Sequence, residues 1–150
     1  MPARTVFGWA MLAYAVSFGL IAVSSPGPYP IFGFMCAFVA FAAPFQMFFE
    51  GRVGPAHYLP GLIGGWINIV FLASVWIRWR SGNVRTFRIL RITTLVMIPF
   101  SWRVMYDQDM YPREGHVLWI ASMVVALFSA PVFEPFDGSG PSLDVRRQEG

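Results

Sequence analysis

The chain has 150 residues, of which 56% are hydrophobic, 17% aromatic and 13% charged, against roughly a quarter charged in ordinary soluble domains. Its net charge of +3 comes from eleven arginines, with no lysine, set against eight acids. These proportions exclude a water-soluble enzyme of ordinary composition. The basic excess is read as a membrane-topology signal, not as a nucleic-acid surface.

No Asp, Glu, Lys or Arg occurs in the 45 residues from Thr5 to Phe49. A hydrocarbon core ~30 Å thick takes about 20 helical residues, so this run supplies two spans. Ser24-Ser25-Pro26-Gly27-Pro28-Tyr29-Pro30 divides them, because three prolines and a glycine in seven residues stop a helix and suit a tight turn. The spans fall at 5–23 and 31–49. The first is longer than the ~7–15-residue apolar core of a cleaved signal peptide and is read as retained.

Between Arg52 and Arg78 lie 25 uncharged residues, which predict a third span at 59–77 with Pro60 in its first turn, where the missing N–H costs nothing. Only the 11 residues Ile92–Trp102 separate Arg91 from Arg103, and Pro99 lies among them. Two readings are open for this stretch. It spans at 87–106, with Arg88, Arg91 and Arg103 snorkelling to opposite headgroup regions. Alternatively it is an interfacial helix carrying Arg85, Arg88 and Arg91 as one basic stripe. The 19 residues Gly115–Phe133 are without formal charge and predict the last span at 116–133, before a flexible polar tail at 134–150. The expected fold is all-α: a polytopic membrane protein with a five-helix transmembrane bundle over 1–133, or four spans plus the amphipathic interfacial helix.

Arg78, Arg80, Arg85, Arg88 and Arg91 cluster between the third and fourth spans. They place that loop in the cytoplasm by the positive-inside rule and offer contacts to anionic lipid. With five spans seven arginines face four across the membrane, the C-terminus is cytoplasmic and the N-terminus outside. An arginine-only basic set fits a GC-rich bacterial genome, so the expected location is a bacterial inner membrane.

Gly61 and Gly65 form a small-xxx-small pair suited to close helix packing, either with another helix of the chain or with a second copy. On the second span Phe34, Phe38, Phe41, Phe45 and Phe48 make an aromatic stripe, offset from a small stripe of Gly33, Ala37, Ala40 and Pro44. Lipid, a pigment or a quinone could lie against the phenylalanines. Trp9, Trp76, Trp79, Trp102, Tyr106 and Trp119 fall near span ends, as an aromatic belt requires.

Chemistry is sparse. The loops after the second and fourth spans bring Glu50, His57, Asp107, Asp109, Glu114 and His116 to one rim in the five-span arrangement. Imidazole and carboxylate are the donors a divalent metal or an acid–base pair would need. Neither loop has metal-type spacing, and a solvated or salt-bridged rim explains the same residues. A bis-histidine haem fits poorly, since both histidines sit at span ends. Gln46 and Asn68 are the intramembrane polar groups. They suit interhelical hydrogen bonds, or a pathway in a small transporter or channel. Cys36 stands alone, which excludes an intrachain disulfide and a CxxC pair. No catalytic residue is assigned and no cofactor is indicated. The expected function is that of a non-catalytic accessory subunit, packing in lipid against another membrane protein or itself. A rim site for a metal or small ligand, with or without hydrolysis, is the alternative, and a small transporter or channel is the third.

Overall fold

A computed structural model describes residues 3–24, 30–50, 55–80, 83–107 and 109–130, with side chains except at 43, 44, 46–48, 50, 55–58, 104, 106 and 107. The fold is mostly helical. Its described helices are α1 (Ala3–Ser17), α2 (Gly33–Glu50), α3 (Pro55–Arg80), α4 (Val84–Asp107) and α5 (Glu114–Ser129). Three short strands connect them, β1 (Ile21–Ser24), β2 (Ile31–Phe32) and β3 (Tyr111–Pro112), in an antiparallel sheet ordered β2-β1-β3. In it Ile21 lies opposite Phe32 and Val23 opposite Pro112.

The sheet corrects the expected first span. Instead of running over 5–23, the helix stops at Ser17, and its 15 residues reach ~22 Å. The chain just beyond it is bound by the following segment: Phe34 N–H donates to the Phe18 carbonyl at 3.0 Å and Gly33 N–H to the Leu20 carbonyl at 2.9 Å. Ile21-Ala22-Val23 then continues as a strand, a conformation its β-branched residues suit. Helix α3 begins four residues earlier than expected, at Pro55, so Pro60 lies inside it, as Pro99 lies inside α4. Among the described residues one helix, over Leu59–Arg80, is long and apolar enough to cross a membrane by itself. Five helices are therefore established, and five spans are not. The Ser25–Tyr29 turn, Arg52, the end of the last expected span and the 134–150 tail lie outside the described residues.

Helix directions follow from a few contacts. Tyr14 of α1 and Trp119 of α5 both reach Asn68 of α3, while Leu20 lies against Gly115, so α1 and α5 are antiparallel. Helix α4 runs antiparallel along α3, from Ser101 against Gly64 at one end to Phe87 beneath Arg78 at the other. That is ~21 Å of shared length at 1.5 Å per residue. Between α4 and α5, Trp102 meets His116 and Arg91 meets Phe128. Four helices, α1, α3, α4 and α5, thus alternate in direction. Helix α2 does not join the alternation, because its two anchored points, Gly33 on Ser17–Phe18 and Ala40 on Gly65, both lie at the sheet end. The pairing of β1 with β3 also places the chain on either side of the 25–29 turn beside the 107–114 loop.

The core consists of Ala10, Tyr14, Ile67, Phe71, Met97, Met123, Ala126 and Leu127. A smaller cluster of Ala22, Val23 and Met105 lies under the sheet. Buried hydroxyls are satisfied within their own helices: Ser17 donates to the Tyr14 carbonyl at 2.6 Å, Ser74 to Phe71 at 2.7 Å and Thr94 to Leu90 at 2.9 Å. Gly65 seats α2. A Cβ there would meet the Ala40 carbonyl oxygen and lie 2.8 Å from its carbon, backbone atoms that cannot swing aside. Gly65→Ala should therefore lower thermal stability by about 1–3 kcal/mol, read as a fall in Tm. Gly8→Ala, with nothing within 4 Å of the added carbon, should leave Tm unchanged or slightly raised.

Candidate functional site

Polar side chains gather at three levels of the bundle. At mid-height the Asn68 carbonyl oxygen accepts two hydrogen bonds, from Tyr14 OH at 2.8 Å and from Trp119 Nε1 at 3.0 Å. Three helices meet at this atom. Its two donors occupy it with interhelical bonds, the simpler of the two roles expected of Asn68. Trp119, expected in an outer aromatic belt, points inward; Trp9, Trp76, Trp79 and Trp102 are exposed.

At the sheet end the expected rim residues separate. Asp109, in a turn with φ 53°, and Glu114 are exposed. Glu114 Oε2 accepts from Arg113 Nε at 3.0 Å, and this contact holds its carboxyl below the usual range. An ion pair open to solvent on both sides contributes little to stability. His116 instead is buried, 6% exposed, with its ring 5.1 Å from that of Trp119 and 6.4 Å from that of Trp102. Its Nε2 is buried without a hydrogen-bond partner among the described residues. The side chains of Glu50, His57, Asp107 and Gln46 lie outside the described residues. Among the described residues no three His, Cys, Asp or Glu side chains come together.

At the opposite end the arginines rest on aromatic rings. Arg78 lies 5.1 Å from the Phe87 centroid and Arg91 5.8 Å from the same ring. Arg91 is also 5.0 Å from Phe128, and Arg80 is 5.9 Å from Trp76. Arg85 and Arg88 are exposed. Nε and Nη1 of Arg78 are buried with no hydrogen-bond partner among the described residues. The expected basic stripe of Arg85, Arg88 and Arg91 is thus divided, with Arg91 paired through Phe87 to Arg78 of the preceding helix. The four-residue step from Phe87 to Arg91 was readable in the sequence as a same-face pair. The approach of Arg78 was not, since it depends on how α3 packs on α4.

Gly65 and Gly64 are both consumed inside the chain, by α2 at Ala40 and by α4 at Ser101; Gly61 is half-buried. No family model matches the chain, and neither a curated protein nor a solved structure shows significant similarity to it.

Two substitutions separate the polar groups that bind helices from the one that does not. Asn68→Leu leaves the Tyr14 and Trp119 donors buried without an acceptor and should cost about 1–3 kcal/mol, seen as a lower Tm with helical content retained. His116→Phe keeps the ring, removes an unsatisfied nitrogen, and should leave Tm unchanged or raise it. A fall of several degrees would mean that Nε2 has a partner in the cell membrane or in a complex.

Proposed function

We propose that the protein is an integral protein of a bacterial inner membrane, a non-catalytic accessory subunit that acts by packing its helices against a membrane partner or a second copy. The observation that carries this reading is its apolar exterior. Trp9 is 63% exposed on α1, Phe38 71% on α2 and Phe128 64% on α5. In the apolar window of α3 only 28% of the residues are buried. On α4, Ile89, Ile92 and Val96 face outward. A soluble monomer seldom shows contiguous apolar patches beyond a few hundred Å², whereas lipid tails are as apolar as these side chains.

The arrangement of α2 supports a particular orientation. If α1, α3, α4 and α5 cross and α2 stays at the sheet end, both termini lie on the side of the Arg78–Arg91 loop. That side then collects Arg4, Arg78, Arg80, Arg85, Arg88, Arg91, Arg146 and Arg147, eight arginines against Arg52, Arg103 and Arg113. The bias is stronger than the seven to four of the five-span arrangement, and it removes an N-terminal arginine from the outer side. Because the chain's own helices occupy Gly64 and Gly65, partner contact falls to the outward phenylalanines Phe34, Phe38, Phe41, Phe45 and Phe49 of α2.

Membrane integration is tested by alkaline extraction, after which the chain should remain with the lipid. Orientation is tested in a Cys36→Ser background by single cysteines at Ala3, Ser81, Asp109 and Ser142, labelled in intact cells with a membrane-impermeant maleimide. Only the cysteine at 109 should react before lysis; reaction at position 3 would restore five spans. Native mass spectrometry of the gently extracted protein should show a stoichiometric membrane partner or a second copy.

A further inference from the structure

We infer that the arginine end of the bundle contains a phosphate site for the headgroup of one anionic glycerophospholipid, held by Arg78 and Arg91 around Phe87. This rests on the membrane reading above and names the ligand that the basic end takes. The two guanidiniums come from different helices, yet both lie within 6 Å of one ring centroid, at 5.1 and 5.8 Å. Two like charges that share one ring repel each other. In soluble proteins such pairs are neutralised by a carboxylate, but the sequence has no acid between Glu50 and Asp107. Phe128 gives Arg91 a second ring contact, at 5.0 Å.

Arg78 also carries unmet hydrogen-bonding capacity, since its buried Nε and Nη1 have no acceptor among the described residues. A buried donor without an acceptor costs free energy that an arriving anion recovers. Phosphate matches the guanidinium in charge and in acceptor geometry. The level in the membrane selects the source of that phosphate. Trp76 and Trp79 flank Arg78 and are more than half exposed, at 54% and 55%. Exposed tryptophans beside arginines mark the headgroup layer, where phosphodiesters are concentrated. Arg85 and Arg88, exposed on α4, contribute only to the general field.

The test uses the full chain in uncharged detergent, with phosphatidylglycerol or phosphatidylcholine added in equal amount and the retained lipid counted by native mass spectrometry. One phosphatidylglycerol per chain should be retained in preference to phosphatidylcholine. Arg78→Gln and Arg91→Gln should each reduce the retained fraction about tenfold, the effect of losing one charge-assisted interaction. Arg85→Gln/Arg88→Gln should change it by no more than about twofold. Unchanged circular dichroism checks that the variants fold, and the two single variants act from different helices. Equal losses in the Arg85/Arg88 double variant would overturn the site in favour of a diffuse basic surface. So would equal retention of phosphatidylcholine, or displacement of the lipid by millimolar inorganic phosphate. Retention that arises only after removal of residues 134–150 would give the site to the tail carboxylates Glu134 and Asp137 instead. A chain that washes out of the membrane at alkaline pH overturns the membrane reading and the lipid together. A chain that stays in the membrane while Arg78→Gln retains lipid like the wild type overturns the site alone.

Discussion

One oxygen atom, Oδ1 of Asn68, sets the level at which three helices meet. Apolar helices packed in an apolar surrounding have little to choose between registers, because one aliphatic contact is worth about as much as the next. A carbonyl that receives two donors from two other helices is satisfied at one register only. With Tyr14 and Trp119 held there, α1 and α5 are aligned. The chain six residues beyond Tyr14 and four before Trp119 then arrives together, as Leu20 against Gly115. From that point β1 and β3 pair without a further choice of register.

The sheet answers a requirement that the apolar composition imposes. When α1 ends, the carbonyls of Phe18, Leu20 and Ala22 need donors, because a backbone oxygen left unpaired is costly. They are met by the N–H groups of Phe34, Gly33 and Arg113, contributed by the starts of α2 and α5. The approach needs backbone without side chains at Gly33 and Gly115, where a Cβ would run into Ser17–Phe18 and Ile21. Elsewhere the same economy is local: serines and threonines inside the bundle bond to carbonyls one turn back. Asn68, by contrast, has both of its partners distant in sequence.

Five helical segments and their order were legible from the lengths of uncharged runs and from the proline-rich interruption after Ser24. The end of the first helix was not, because a length criterion treats Ile21-Ala22-Val23 as more apolar helix, while its strand partner lies some ninety residues away at Tyr111–Pro112. Asn68 was recognisable as an interhelical hydrogen-bonding group, but nothing local indicates Tyr14 as its donor. The rim residues were grouped by loop proximity. Helical phase would have divided them, since His116 stands three residues before Trp119 and seven before Met123, on the stripe that α5 buries, while Glu114 precedes that stripe by two. The Arg78–Phe87–Arg91 arrangement lies across a helix pair, and no single-segment pattern contains it.

The two ends of the bundle handle charge differently, and the difference bears on orientation. At the sheet end Arg113 is neutralised by Glu114. At the other end the cations of Arg78, Arg80 and Arg91 rest on Phe87, Trp76 and Phe128. A ring face attracts a cation through its quadrupole but cancels none of its charge. A carboxylate would have held the same arginines in place and removed the field with them. Aromatic support therefore keeps the arginines ordered while leaving the whole positive potential of that end directed outward. The counter-charge for that end therefore has to come from outside the stretch between Glu50 and Asp107, which holds no acid.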